Sequence, residues 1–215
     1  MDNKIFKNKR VLVTCGPTWV PIDNVRVISN LSSGTLGQVI AQDFSEAGAK
    51  VTLMEGPVAK PIKSSLIKVL KFNYFDELHD LIKAELRKKY DICIHAAAVA
   101  DYKVKQKRTA KLSSQLKTLT LKLIPTKKII RHIRKLNPKI FLVGFKLEPG
   151  LNKVKAVQKT CGLFRDGLCD LVVANSVDHG KYEGYILDQN GSFFAHDTSR
   201  KKLSKSLIRT VKKSI

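Results

Sequence analysis

Cysteine is scarce in this 215-residue chain, and its four copies match no common ligand or disulfide pattern. Cys15, Cys93, Cys161 and Cys169 include no CxxC pair, and the five histidines are scattered along the chain. This spacing argues against a disulfide-stapled scaffold and gives no support to a structural zinc site. Cys15 and Cys93 lie in apolar runs, so we expect both to be reduced thiols of the core.

A long apolar run is also missing. The amino-terminal stretch MDNKIFKNKR is basic but lacks the apolar segment of a signal peptide. The first apolar run, VLVTC, is far shorter than the roughly 20 residues that a membrane-spanning helix needs. The sequence therefore predicts a soluble, unexported, cytoplasmic protein with no membrane partner.

Acidic residues are few: 18 face 40 basic residues, which gives a formal net charge of +22. Such a balance suits anionic partners, among them nucleic acid and phosphorylated metabolites. The lysines are spread along the whole chain, and a simpler interpretation is that they solvate its surface. No RNP-like aromatic signature, zinc-finger spacing or helix-turn-helix accompanies them, so we expect no specific nucleic-acid partner.

What the chain does contain is an alternation of short apolar runs with amphipathic segments. Continuous apolar runs fit strands that are buried on both faces of a parallel sheet. They fall at 10–15, 49–55, 66–72, 91–98, 139–145 and 169–175, with helical patterns near 35–47, 75–89, 127–136, 150–166 and 199–213. The order predicts an α/β, doubly wound, mostly parallel sheet flanked by helices, in one domain over 1–215.

Two further segments predict antiparallel additions to that sheet. LKTLTLKL, at 116–123, alternates apolar and polar residues as a half-exposed strand does. GYILDQNGSFFAH, at 184–196, reads as a hairpin whose turn contains Asn190 and Gly191.

The stretch VRVISNLSSGTLG, from Val25 to Gly37, follows the first strand and leads into the first helix. Ligands of open α/β sheets bind beyond the carboxyl ends of the strands, and a helix N-terminus there attracts anions. Gly34 and Gly37 would allow close approach, either of a phosphate or of a neighbouring strand. The spacing matches neither GxGxxG nor a P-loop, so both interpretations stay open on spacing alone.

Several sequence motifs, taken in order, identify a family more specifically than the spacing of glycines does. VLVTCGPTWVPIDNVRVISNLSSGTLG, HAAAVADYKVK, AKLSS, LVGFKLE and DLVVAN occur in that order. Together they resemble phosphopantothenoylcysteine synthetase over about residues 10–213. The flavin-dependent decarboxylase half of the bifunctional bacterial protein is not among these phrases, so the resemblance is to the stand-alone bacterial form.

The resemblance implies a Rossmann-like homodimeric ligase of coenzyme A biosynthesis. Such enzymes join 4'-phosphopantothenate to L-cysteine through an acyl-nucleotide intermediate, with release of pyrophosphate. CTP, or ATP, is the implied co-substrate, Mg²⁺ accompanies it, and a separate phosphopantothenoylcysteine decarboxylase is an implied partner. Activation of a carboxylate by a triphosphate gathers negative charge, which cations and N–H donors must stabilise.

The matched motifs also imply roles for particular residues. Asn30 would grip the acyl-nucleotide, and Lys111 would act as a catalytic cation that also contacts the nucleotide. Arg26 would contact an anion, beside a substrate and phosphate site of Ser32, Ser33, Gly34 and Gly37. The implied nucleotide contacts are His95, Ala96, Ala97, Asp101, Lys127 and Phe145, whereas the motifs imply no metal ligands.

Departures from the family pattern keep two other functions open. IPTKK places Lys127 where the family often has another residue pair, and CGLFRDG replaces two lysines that bind triphosphate in many members. Lys159 or Arg165 is a candidate substitute. A non-catalytic nucleotide or phosphometabolite-binding protein on the same fold is the first alternative, and a nucleic-acid-binding protein is the second.

Overall fold

The structure, a computed structural model, describes residues 4–106, 110–113, 115 and 117–215. Its helices are α1 (Thr35–Glu46), α2 (Phe75–Glu85), α3 (Ile129–Leu136), α4 (Lys153–Phe164) and α5 (Arg200–Ser214). Its strands are β1 (Arg10–Cys15), β2 (Trp19–Pro21), β3 (Val27–Ser29), β4 (Lys50–Glu55), β5 (Lys68–Lys71), β6 (Ile92–His95), β7 (Tyr102–Val104), β8 (Leu123–Pro125), β9 (Phe141–Leu147), β10 (Leu171–Asp178), β11 (Lys181–Leu187) and β12 (Phe193–Asp197).

Eight of these strands form one sheet in the described part of the chain, in the order β12-β11-β10-β9-β6-β1-β4-β5. The six strands from β10 to β5 pair in parallel, whereas β11 and β12 are added antiparallel. The parallel part runs outward in both directions from β1, which is the strand order of a Rossmann-like sheet. The predicted fold class and the predicted hairpin over 184–196 are therefore confirmed.

Alternation along the strands divides the core into two layers. On β1, Val11, Val13 and Cys15 pack with α1 and α5, whereas Leu12 faces the layer that contains α2 and α3. Helix α4 covers a third cluster, against β10 and β11. Both faces of the parallel strands are buried, which is why their sequences are continuous apolar runs.

One predicted strand is wrong. Among the described residues of 116–123, only Leu123 belongs to a strand, and it begins the short β8. The partner is β7, with Tyr102 opposite Pro125 and Val104 opposite Leu123. The alternating pattern was a poor guide because a strand needs a partner edge, and the three-residue β7 supplies one only for 123–125.

Candidate functional site

The site begins where β1 and β6 end side by side, at the point where the strand order reverses. Thr14 of β1 is fully buried, and its hydroxyl lies 2.9 Å from Nδ1 of His95. The same hydroxyl accepts a hydrogen bond from the N–H of Ala97 at 3.2 Å. If the hydroxyl hydrogen goes to Nδ1, the ring proton is on Nε2. Burial lowers the pKa of His95 to about 4, so the ring is neutral at neutral pH.

Asn30 ties the loop after β1 to the end of β6. Its side-chain amide donates to the carbonyl oxygens of Ala98, at 3.2 Å, and of Val99, at 3.3 Å. Thr18, earlier in the same loop, accepts a hydrogen bond from the N–H of Ala100 at 2.9 Å. The two loops are thus joined across the gap between neighbouring parallel strands. The Asn30 side chain is exposed, and with both N–H groups donated its oxygen is the atom left to accept a further bond.

A cleft of about 370 Å³ opens beside this junction, and we call it the basic cleft. Five residues that the motifs assigned to nucleotide binding line it together: His95, Ala97, Asp101, Lys127 and Phe145. Ala96 does not line it, because neighbouring residues of an extended chain face opposite sides. The remaining lining residues are Val99, Thr126, Lys128, Ile129, Ile130, Lys146, Lys159, Gly162 and Leu163.

Positive charge dominates the basic cleft. Four lysines and one aspartate line it, and Lys128 lies 2.6 Å from the carboxylate of Asp101. Lys159, one of the two candidate substitutes for the missing triphosphate lysines, is in the lining, whereas Arg165 is not. Lys128 and Lys146 were missed by the motif comparison. Their only signal in the sequence was membership of a generally lysine-rich chain.

The glycines of the Val25–Gly37 stretch are explained by packing. Gly34 precedes α1 with φ of +70°, and a Cβ there would lie 2.8 Å from Cγ1 of Val58. A Cβ on Gly37 would lie 2.5 Å from Cβ of Cys15. The sequence left open whether these glycines allow close approach of a phosphate or of a neighbouring strand. The structure supports close approach of neighbouring protein segments. Ser32 and Ser33 precede the helix, with the Ser33 hydroxyl 2.9 Å from that of Thr35.

Arg26 and Lys111 lie outside the lining of the basic cleft. The Arg26 guanidinium contacts the carboxylate of Asp23 at 3.2 Å and donates to the carbonyl oxygen of Leu112 at 2.5 Å. Lys111 is exposed, next to Leu112 in the chain. The structure therefore brings the predicted anion contact and the predicted catalytic lysine into one neighbourhood.

The thiols and the charged groups of the described residues form no metal centre. Cys15, Cys93 and Cys169 are buried free cysteines, and burial raises the pKa of each to about 12. The prediction of core thiols at Cys15 and Cys93 is confirmed. In the residues that the structure describes, no group of three or more His, Cys, Asp or Glu side chains is placed to hold a metal ion.

This sheet order, with a basic cleft at the carboxyl ends of the central strands, defines a Rossmann-like α/β domain. Residues 6–215 match the model of the DNA/pantothenate metabolism flavoprotein C-terminal domain. The chain belongs to that family. The family expected from the sequence motifs is thereby confirmed.

One curated relative is the coenzyme A biosynthesis bifunctional protein CoaBC of Thermococcus kodakarensis. It is 40% identical over 175 residues, which are 81% of this chain and 43% of that protein. The chain spans about half the length, or somewhat less, of the curated relatives it matches.

Two solved structures share the fold. The DNA/pantothenate metabolism flavoprotein of Streptococcus pneumoniae superposes with a TM-score of 0.85 at 24% identity, covering 96% of this chain and all of that one. A Cab2 variant in complex with phosphopantothenate-cysteine superposes with a TM-score of 0.78 at 20% identity, covering 96% of this chain and 87% of that one. None of the helices in the described ranges is long and apolar enough to cross a membrane.

Proposed function

We propose that this domain is a phosphopantothenate–cysteine ligase of coenzyme A biosynthesis, with CTP preferred over ATP. The observation that carries the proposal is the joining of Asn30 to the end of β6, directly beside a basic cleft lined by five motif residues. Family membership supports it, as does the relative named for coenzyme A biosynthesis. The Cab2 complex shows that the fold holds phosphopantothenate-cysteine in another protein.

The reaction has two steps. First, a carboxylate oxygen of 4'-phosphopantothenate attacks the α-phosphorus of the triphosphate, forming an acyl–phosphate bond while the bond to the β-phosphate breaks and pyrophosphate leaves. Second, the cysteine amine attacks the activated carbonyl carbon. The amide bond forms, the bond to the nucleoside monophosphate breaks, and the nitrogen loses a proton. Neither step requires a nucleophilic side chain of the protein.

The residues of the basic cleft suit the nucleotide half of this reaction. Lys127 supplies positive charge where three phosphates would gather. Lys128 and Lys159 are paired with Asp101 at 2.6 Å and Glu148 at 3.2 Å, and each would add its charge by exchanging that carboxylate for a phosphate. Neutral His95 contributes an N–H donor without adding charge. Phe145 and the small Ala97 are apolar lining residues beside which a base or ribose would lie.

The substrate and phosphate site is proposed at the start of α1, with Ser32, Ser33, Gly34 and Gly37 as its frame. The first N–H groups of a helix lack intrahelical acceptors and favour an anion. Packing against Val58 and Cys15 accounts for both glycines, so they contribute to binding indirectly, by allowing the backbone path that places the loop. Mg²⁺ would enter with the triphosphate, keeping most of its water ligands, and would neutralise phosphate charge. Asp101 is the carboxylate that the cleft offers to it.

A homodimer is proposed on the basis of exposed apolar side chains in the β2–β3 hairpin and just after it. Val25 is 65% exposed and Leu31 fully so, and Val27 and Ile28 are each about two-fifths exposed. Burial of such side chains between two copies is favourable. A separate phosphopantothenoylcysteine decarboxylase is the proposed consumer of the product, and the cytoplasm is the proposed location.

A pyrophosphate-release assay tests the function. The purified domain is mixed with 4'-phosphopantothenate and L-cysteine, with CTP and ATP in parallel and each substrate omitted in turn. Release that requires phosphopantothenate, with a higher kcat/KM for CTP, is expected. A non-catalytic binder would release none. A dedicated nucleic-acid-binding protein would instead hold one sequence tightly at physiological salt, beyond the salt-sensitive affinity that any basic protein has for DNA.

A further inference from the structure

Asp23 is a buried carboxylate in the turn between β2 and β3, only 2% exposed. Its Oδ1 accepts the backbone N–H groups of Val25 and Arg26, both at 2.8 Å. That pair of bonds is what an Asx turn requires, and it leaves the second oxygen unused by the turn. Oδ2 accepts the N–H of Leu112 at 3.1 Å, which lies 89 residues further along the chain.

Arg26 completes the contact from the other side of Leu112. Its guanidinium pairs with Asp23 at 3.2 Å and donates to the carbonyl oxygen of Leu112 at 2.5 Å. One ion pair therefore binds both backbone polar groups of a single residue, and we call this arrangement the Leu112 clasp. The bonds from the N–H groups of Leu112, Val25 and Arg26, together with the Arg26 charge, lower the pKa of Asp23 to about 2 despite its burial.

The clasp fixes a segment that lies outside the regular secondary structure of the described residues. Residues 110–113 belong to no helix or strand. The side chain of Leu112 is 6% exposed and lines a cavity of about 450 Å³ with Ile22 and Val104. Lys111, its neighbour, is exposed and makes no ion pair with any of the residues that the structure describes. Anchoring Leu112 therefore sets where the Lys111 ammonium can reach.

The same hairpin that holds Leu112 leads through β3 into Asn30. We propose that Asp23, acting with Arg26, is a positioning residue that places Lys111 for activation of the substrate carboxylate. This inference rests on the proposed function. Asp23 would touch neither substrate nor nucleotide, and its effect on the reaction would pass through the backbone of Leu112.

A double-mutant cycle with Lys111 separates positioning from general support of the fold. Asp23→Asn keeps the shape but replaces one acceptor oxygen by an NH₂ group and removes the charge that pairs with Arg26. We expect acyl-nucleotide formation to slow by about 10-fold or more, with little change in the KM for nucleotide. In a Lys111→Ala background the same change should slow it by less than about 2-fold, because the group being positioned is already gone.

Asp188→Asn is the matched control. Asp188 also accepts two backbone N–H groups in a turn, those of Asn190 at 2.9 Å and Ser192 at 3.0 Å, in the hairpin between β11 and β12. It should leave the rate unchanged. Equal fold-losses from Asp23→Asn in the wild-type and Lys111→Ala backgrounds would overturn the inference, since independent effects multiply.

Amide hydrogen exchange at Leu112 gives a readout that does not depend on activity. Exchange should be faster in Asp23→Asn than in wild type and unchanged in Asp188→Asn. An inactive wild type with a protected Leu112 amide would mean that the proposed function fails, and the positioning role with it. If the wild type is active but Asp23→Asn leaves the exchange rate of the Leu112 amide unchanged, this inference is wrong while the proposed function stands. If Asp23→Asn does not fold, Arg26→Gln replaces it in the cycle. A loss of rate in Arg26→Gln that disappears in the Lys111→Ala background supports the clasp. A loss of the same fold in both backgrounds would overturn the inference and indicate that Arg26 contacts an anion independently of Lys111.

Discussion

Asn30→Asp perturbs the joint between the two loops of the site with the smallest change in size. In the wild type, the amide nitrogen donates to the carbonyl oxygens of Ala98 and Val99. A carboxylate has no hydrogen to donate, so each contact becomes an oxygen facing an oxygen, with a negative charge added. The same charge would lie beside the phosphoanhydride of the proposed intermediate.

The size of the effect follows from those two contacts. Each neutral hydrogen bond contributes about 0.5–1.5 kcal/mol net, so loss of the pair releases the loop by roughly 1–3 kcal/mol. If that energy is expressed in the transition state of acyl transfer, the step slows by about 5- to 150-fold. Binding of the ground-state nucleotide should change less, because the grip on the acyl group is needed chiefly after activation.

Rapid-quench kinetics test this prediction. In a first turnover the variant should release pyrophosphate yet pass the acyl group to cysteine slowly, so 4'-phosphopantothenoyl-nucleotide should accumulate. Asn152→Asp is a control with the same charge change, because Asn152 caps α4 by accepting the N–H of Lys155, which a carboxylate does equally well. Product formation at the wild-type rate in Asn30→Asp, or unfolding without accumulated intermediate, would show that Asn30 is a structural loop residue.

Three further outcomes are expected. Lys111→Ala should slow acyl-nucleotide formation by about 10²–10³-fold in single-turnover assays while leaving the urea midpoint unchanged, and near-normal turnover would show that the AKLSS match misled. Gly37→Ala should lower the free energy of unfolding by about 1–3 kcal/mol in urea titrations, because its Cβ would lie 2.5 Å from that of Cys15. Gly162→Ala is the control, since a Cβ there would have no other atom within 4 Å. Equal losses in the two variants would refute the packing argument. Because the pKa of His95 falls from 6.5 in the unfolded chain to about 4, the unfolded state binds more protons between those values and stability should fall as pH drops through that window. His95→Gln should flatten that slope, and a slope unchanged in the variant would contradict the assignment.

The fold was predictable because its central strands are buried on both faces. Runs such as 10–15 and 139–145 are short, continuously apolar and separated by amphipathic segments, and this combination predicts interior strands. The sequence analysis did not predict the turn that joins β10 to β11. It is formed by His179, with φ of +44°, and Gly180, with φ of +77°. A histidine at positive φ is an uncommon turn residue, so composition gave no warning of a second hairpin.

The site was predictable in part. Ordered motifs located five residues of the basic cleft, whereas Lys128 and Lys146 had no signal beyond the general excess of lysine. The sequence gives Asp23 no role of its own beyond its place in the matched phrases. Its turn role is local and visible in the sequence, but its bond to Leu112 joins positions 89 residues apart, and no local pattern reports such a contact.

The loop after β1 is fixed at three points, and each point accounts for part of its composition. At the hairpin, Asp23 binds Leu112; at Asn30, the chain is tied to the end of β6; at the start of α1, Gly34 fits against Val58. A loop held at three points loses little entropy when ligand binds, because its conformation is already set before binding. The two side chains act on different steps: loss of the Asp23 bond to Leu112 should slow acyl-nucleotide formation through Lys111, whereas loss of the Asn30 bonds should slow transfer of the acyl group to cysteine. Comparison of Asp23→Asn with Asn30→Asp by step, rather than by overall rate, follows directly from that distinction.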